Sequence, residues 1–441
     1  MAGPGAVALG YGPGVAGDVV SELRWRGLVH QVTDDGLAAM LAAEPFTVYH
    51  GIDVTADSLH VGSLIGALVL QKFQAHGHRP VVLLGGGTTR IGDPSGKRAE
   101  RPLLPPEQIE ANAAGIRAQL ERFIDFAPGP AGAVLLDNTA WLAPLPLLDF
   151  LRDVGKHFTV NAMLAKESVR ARFEEAGVGI SFTEFSYMLL QAYDYLHLFD
   201  REGCRLQIGG SDQWGNITAG IDLIRRVRGA EAYGLTWPLL TKADGTKFGK
   251  SEAGNVWLDP ARTSPYEFFQ FWVNTDDADV GRHLRAYTSL DEPAVADLEE
   301  ALARDAGGRE AHRTLAHEVT ALVHGRAAAS AAQQASAALF GGDLSDLSES
   351  QLASAFADAP SSELDRARLD GDGVGLVDVL AESGLVASKS AARQAVTQGG
   401  VAVNGRVEAA VDRRLGPADL LHGRFVVLRR GKRHYHLIHV R

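Results

Sequence analysis

Residues 45–87 read PFTVYHGIDVTADSLHVGSLIGALVLQKFQAHGHRPVVLLGGG, and the order of patterns within them decides the fold. Residues 45–54 and 79–87 are short apolar runs ending in Gly-bearing turns, the pattern of buried parallel strands. Between them, residues 58–77 have the length and apolar spacing of a helix, with Asp57 and Ser58 as cap candidates and Gly77 as its stop. Strand, helix and strand in that order make a βαβ unit, which implies a parallel sheet with crossover helices.

Outward from this unit, residues 1–17 (MAGPGAVALGYGPGVAG) read as a flexible extension. Strand and helix patterns alternate to about residue 254, so residues 18–254 read as one α/β domain. Within it, residues 102–194 are mostly helical and too long for a simple crossover, which marks a helical insertion. LQIGG (206–210) and LTWPLLT (235–241) are further strand candidates. Residues 255–342 turn helical throughout, 343–373 read as a linker with one short helix, and 374–441 offer two helices followed by hairpin-like strands. The expected architecture is α/β: a Rossmann-like parallel-sheet domain with a helical insertion, then an all-α domain and a small α+β domain.

The 441 residues are 46% apolar and 22% charged, which excludes wholesale disorder. The single cysteine, Cys204, cannot form an intramolecular disulfide, and no export signal or membrane-spanning run of roughly 18 apolar residues is visible, so the expected compartment is cytoplasmic. The net charge of −11 disfavours a nucleic-acid partner, but it is unevenly placed. Residues 374–441 hold eleven Lys/Arg and five Asp/Glu, a net of +6, leaving −17 on the rest. An acidic body with a basic end points to a polyanionic partner for that end.

Gly85-Gly86-Gly87 follows a strand, yet a dinucleotide fingerprint needs glycine at position 90, which is Arg90. Residues 245–251 (GTKFGKS) fall one residue short of a triphosphate-binding loop, and SEAGNVWLDP (251–260) makes a poor helix. His60-Val-Gly-Ser63 is the stronger feature. His60 and Ser63 share one face of a helix start, and Gly62 lets a ligand approach the backbone. With Lys247 and Lys250 on a distant Gly-flanked loop, that face suits a triphosphate whose leaving pyrophosphate gathers charge. His434, His436 and His439 lie in the basic end without a cysteine to join them, so no protein-bound metal is expected.

Taken together, these motifs resemble those of bacterial tyrosyl-tRNA synthetases, a class I aminoacyl-tRNA synthetase family. His60–Ser63 stands where the family has His-Ile-Gly-His, and Lys247–Ser251 where it has Lys-Met-Ser-Lys-Ser. TVYHGIDVTADSLH, IGDPSGKRAER, GISFTEFSYMLLQAYDYL and QIGGSDQWGNITAGIDL stand in family order. The last domain is similar to the RNA-binding fold named for ribosomal small-subunit protein four. The resemblance implies ATP-dependent activation of L-tyrosine and its transfer to tRNA(Tyr), with Mg²⁺ carried on the nucleotide. It implies a tyrosine pocket of Tyr49, Asp93, Tyr187, Gln191, Asp194 and Gln213. ATP would be held by Gly51, Asp53, Thr55, His60, Ser63, Gly210, Asp212 and Gln213. Lys247, Lys250 and Ser251 would close over the phosphates from a mobile loop at 243–254, and Lys97 and Arg101 would stand on the pyrophosphate side. It also implies a homodimer through FLRDVGKHFTVNAML (150–164).

Spacing adds support, because Tyr187, Gln191 and Asp194 at i, i+4 and i+7 share one helix face, and polar side chains on an inward face need a ligand. Three departures stand out: Ser63 for the second signature histidine, Val54 for a proline, and the Thr88-Thr89-Arg90 turn. Ser63 and the Thr88-Thr89-Arg90 turn read as a matched variation. Two rivals remain: an RNA-binding protein that has kept the fold without activation, against which the intact lysines argue, and a paralogue charging a modified tyrosine or another carrier.

Overall fold

The structure is a computed structural model that describes residues 18–95, 104–166, 169–170, 179–241, 248–251, 254–339, 344–356, 359–431 and 434–441. The chain divides into two compact units: Met1–Asp259 with Asp276–Ala306, and Pro260–Thr275 with Gly307–Arg441. The helices Asp277–Tyr287 and Glu292–Arg304 therefore group with the first unit, although they lie beyond residue 254.

The first unit is built on a six-stranded sheet of β1 (Gln31–Val32), β2 (Thr47–Ile52), β3 (Arg79–Leu84), β4 (Val134–Asp137), β5 (Cys204–Gly210) and β6 (Tyr233–Trp237). The spatial order is β1-β6-β5-β2-β3-β4, with β6 to β4 parallel and β1 antiparallel on the edge. From the β2–β5 pair the chain winds outward in both directions, and at such a switch point a cleft opens beyond the carboxyl ends of the strands. Val48, Tyr49, Val81, Val82, Leu206 and Ile208 are buried, as expected of strands covered on both faces.

Two expectations need correction here. Residues 102–194 are not wholly an insertion, because β4 lies within them and completes the sheet beside β3. Its four residues are only half-buried, so no continuous apolar run advertised it. The helix of the central unit spans Val61–Ala75 and is capped by His60, not by Asp57 or Ser58. Ser58 is occupied elsewhere: its hydroxyl donates to Leu59 O and accepts from Gln119 Nε2 at 2.9 Å.

The second unit joins the helices Pro265–Val273, Glu310–His324 and Arg326–Leu339 to a five-stranded sheet. Its strand order is Arg406–Glu408, Val401–Val403, Phe425–Arg430, His434–Val440, Ser361–Leu364. Alternate residues of Phe425–Arg430 serve two cores, as period-two geometry requires. Val426 and Leu428 pack with Leu376, Leu380 and Val396, while Phe425 and Val427 pack with Leu352 and Phe356. Residues 343–373 are thus more than a linker. Ser361–Leu364 pairs in parallel with His434–Val440, and Leu352 and Phe356 cover the sheet.

Candidate active site

A cleft of about 340 Å³ opens at the carboxyl ends of β2 and β5. Strand β2 and the turn after it bring Tyr49, Gly51, Asp53 and Thr55 to its wall. The helix start adds His60 and Ser63, and the turn beyond β3 adds Asp93. Tyr187, Gln191 and Asp194 enter from the helix Phe182–Glu202, which Ser181 caps and left-handed Gly203 ends. Gly210, Asp212 and Gln213 close the far side beyond β5. Lys97, Arg101 and Lys247 lie outside the described residues. The backbone of Lys250–Ser251 pairs antiparallel with Gly254–Asn255.

At one end the cleft holds a polar group without a partner. The Tyr49 hydroxyl is buried and has no hydrogen-bond partner among the described residues. A buried hydroxyl left unpaired costs about 1–3 kcal/mol, so a ligand atom is the natural complement. Asp194, 2% exposed, lines the same cleft; its Oδ2 accepts from Asn138 Nδ2 at 2.9 Å and its Oδ1 from Trp141 Nε1 at 2.7 Å. The Trp141 indole is itself stacked on His197. Burial pushes the Asp194 carboxyl up to about 7, although the Asn138 and Trp141 hydrogen bonds pull it down.

The other end is a connected amide and carboxylate network. Asp93 Oδ2 accepts from Gln213 Nε2 at 2.8 Å, Gln191 Nε2 donates to Gln213 Oε1 at 3.1 Å, and Asn216 Nδ2 donates to Gln191 Oε1 at 3.0 Å. It presents a fixed carboxylate suited to an ammonium group. Between the ends, Asp53 accepts from the Tyr187 hydroxyl at 3.3 Å and from Thr88 Oγ1 at 3.2 Å. A Cβ on Gly85 would stand 2.6 Å from Asp53 Oδ1 and 2.5 Å from Thr88 Oγ1. The first glycine of the triplet therefore makes room for a carboxylate and a threonine.

His60 and Ser63 form a reciprocal cap. His60 Nδ1 accepts from Gly62 N at 3.0 Å and Ser63 N at 3.3 Å, while Ser63 Oγ accepts from His60 N at 3.0 Å and donates to His60 O. With Nδ1 an acceptor, the imidazole carries its hydrogen on Nε2, suited to an anionic oxygen. Serine at 63 thus has a structural task of its own. Ser63→His is expected to lose the reciprocal bond, destabilising the chain by about 1 kcal/mol in thermal unfolding and leaving ATP use no better. Faster activation by the histidine variant would contradict this.

Asn138, Trp141, Gln207, Asn216 and His50 are site residues that the sequence reading missed. Gln207 Oε1 is a second buried acceptor without a partner among the described residues. His50 Nδ1 lies 3.2 Å from Ile208 O, its ring packs edge-on against Trp237, and burial lowers it to about 4. A Cβ on Gly66 would fall 2.2 Å from its Nε2, so histidine at 50 requires glycine at 66. An Asn directly after a strand was the one signal available for Asn138. Among the described residues, no group of three or more His, Cys, Asp or Glu could hold a metal ion.

Comparison with known proteins identifies the family. Residues 41–341 match the model of class I tRNA synthetases (W and Y), and residues 351–438 match the tyrosine–tRNA ligase SYY-like C-terminal domain. The chain is 56% identical to the tyrosine–tRNA ligase of Roseiflexus castenholzii over 95% of this chain and 99% of the relative. It is 52% identical to that of Bacillus caldotenax over 96% and 99%. Among solved structures it resembles a C-terminally truncated Aspergillus nidulans mitochondrial tyrosyl-tRNA synthetase, with a TM-score of 0.66 and 32% identity over 74% of this chain and 95% of that one.

Proposed function

The chain belongs to the class I tRNA synthetases, and from that premise we propose that it activates L-tyrosine with ATP and transfers the tyrosyl group to the 3′ end of tRNA(Tyr), releasing AMP and diphosphate. The observation that carries the amino-acid choice is the partnerless Tyr49 hydroxyl in the same cleft as Asp194. A phenolic hydroxyl pairs with Tyr49 and adds a donor to the Asp194 carboxylate, whereas phenylalanine leaves the Tyr49 hydroxyl buried and unpaired. Pyrophosphate exchange with each amino acid in turn tests this, with tyrosine alone expected to support it.

The tyrosine carboxylate attacks the ATP α-phosphorus in line. An oxygen–phosphorus bond forms, the α–β bridge breaks, and its electron pair leaves with pyrophosphate. Tyr187, Gln191, Gln213 and the Asp93 carboxylate orient the substrate, as the hydrogen-bonded network supports. Gly51, Asp53, Thr55, Gly210 and Asp212 hold the nucleotide, with His60 donating from Nε2 at the helix start. Lys97, Arg101, Lys247 and Ser251 complete the phosphate side. Mg²⁺ arriving with the nucleotide would neutralise charge on the ATP phosphates.

Lys250 is proposed to act on the leaving pyrophosphate. Lys250→Ala is expected to slow tyrosine activation by about 2–4 kcal/mol of transition-state stabilisation while leaving tyrosine affinity intact. An unchanged exchange rate would remove the loop from the mechanism.

A homodimer belongs to the same proposal. Leu147, Leu148 and Val160 are 68%, 78% and 59% exposed, in or beside the segment 150–164. Apolar side chains so exposed are what an interface between copies covers. The proposed place of work is the cytoplasm, and no helix among the described residues is long and apolar enough to cross a membrane.

A further inference from the structure

The helix Asp277–Tyr287 in the first unit has no part in the site described so far, yet it grips the segment that leads to Lys250. Arg282 donates to the carbonyl of Thr241 and is held by Asp279 at 2.8 Å. The next residue, His283, is fully buried, with its ring centroid 4.2 Å from that of Phe248. Tyr287, one turn later, forms the second wall at 5.9 Å. Burial, with help from Arg282, lowers His283 to about 3, so its ring is neutral and packs as apolar surface. One helix therefore holds both Thr241 and Phe248.

The same helix is tied to the signature helix. The Tyr287 hydroxyl donates to Val61 O at 3.0 Å, at the turn that His60 caps. Gly249 lies against that turn: with φ at +91°, a Cβ there would stand 3.2 Å from Gly62 N. Its carbonyl accepts from Val256 N, and Val61 N donates to Val256 O, both at 3.0 Å. At the same C-terminal end of the helix that carries Tyr287, Arg26 donates to the carbonyls of Arg285, Thr288 and Leu290, at and just past the helix end. Arg26 also pairs with Glu22, which takes Lys72 of the signature helix at 3.0 Å.

We propose that the helix Asp277–Tyr287 is a positioning clamp for the lysine loop, and that Phe248, seated between His283 and Tyr287, sets where the backbone of Lys250 lies over the start of the signature helix. Phe248, His283 and Tyr287 touch no substrate; they act through Lys250. A lysine that acts on departing pyrophosphate loses its effect when displaced by about an ångström, because its contact must match the transition state. The clamp rests on the reading of Lys250 given above.

The test uses the full-length chain and four variants, Phe248→Ala, Phe248→Met, Lys250→Ala and the double variant Phe248→Ala/Lys250→Ala. Tyrosine-dependent pyrophosphate exchange is followed across an ATP series, with tyrosine affinity by equilibrium dialysis and thermal unfolding alongside. Phe248→Ala is expected to lower kcat about ten- to a hundredfold with tyrosine affinity unchanged. Phe248→Met, which refills the socket, restores most of the rate. In the Lys250→Ala background Phe248→Ala adds little, since the clamp acts through that lysine. Wild-type kcat for Phe248→Ala, or full additivity in the double variant, overturns the clamp while Lys250→Ala still slows exchange. If Lys250→Ala itself has no effect, the reading of the loop falls first, and the clamp with it.

Discussion

Replacing Asp194 by asparagine is expected to weaken tyrosine binding and to remove a pH-dependent loss of stability, two effects of one buried carboxyl. The binding loss follows from a charged acceptor facing a phenolic hydroxyl, worth about 1.5–3 kcal/mol, or roughly ten- to a hundredfold in affinity. Its pH dependence is specific. Asp194 is pushed up to about 7 by burial, and its ionised form is much the stronger acceptor for the substrate hydroxyl. The tyrosine dissociation constant of the wild type should therefore rise as pH falls through 7, approaching tenfold per unit, while that of Asp194→Asn stays flat. A flat wild-type profile between pH 5.5 and 7.5 would remove this carboxyl from hydroxyl recognition.

The stability sign is worked out from the same shift. An unfolded Asp releases its proton near pH 4, whereas native Asp194 keeps it to about 7. Between these values the native state binds more protons, so stability falls as pH rises through the window and the loss is complete above 7. The asparagine variant escapes that loss. Between pH 4 and pH 8 position 194 should contribute no slope in the variant, while in wild type it lowers stability by at most about 4 kcal/mol; the amide nitrogen set against the Asn138 or Trp141 donor costs about 1–3 kcal/mol at every pH.

The parts of this site that were legible in the sequence owe it to local periodicity. Tyr187, Gln191 and Asp194 announce themselves because three polar residues at helical spacing must share a face, and the central strand–helix–strand reads from its apolar runs. What was missed depends on contacts between distant residues. Asn138 and Trp141 reach Asp194 across 56 and 53 residues from a stretch read as insertion. The strand Ser361–Leu364 carries mostly polar side chains and gains its place only by pairing with His434–Val440. The cap was misplaced for a similar reason: Ser58 has the right chemistry, but Gln119 and Asp259 already use its hydroxyl, leaving the cap to His60.

Reversing the charge of Arg393 and Arg430 together should cripple tRNA charging and leave pyrophosphate exchange untouched. Much of the positive charge in residues 374–441 is neutralised within the unit. Lys389 pairs with Asp378 at 2.7 Å, Arg424 with Glu349 at 2.7 Å, Arg441 with Glu363 at 2.8 Å, and Arg413 with Glu408 and Asp419. Arg393 and Arg430 are exposed and have no ion-pair partner among the described residues. Arg430 donates to Leu385 O at 3.3 Å, in the turn that leads to the helix bearing Arg393. They are among the exposed cations of the unit open to RNA phosphates. Truncation before Val374 would be a poorer test, because it strips Phe425, Val427 and Leu437 from Leu352 and Phe356 and so damages the neighbouring helices. The double glutamate variant keeps both cores. Its charging efficiency should fall at least about tenfold at low salt, and the slope of log affinity for tRNA against log salt should flatten by about 1.4–1.8, the share of two phosphate contacts. Arg393→Lys with Arg430→Lys keeps the charge and should keep the slope. Wild-type charging by the glutamate pair would place the RNA contact elsewhere in the unit.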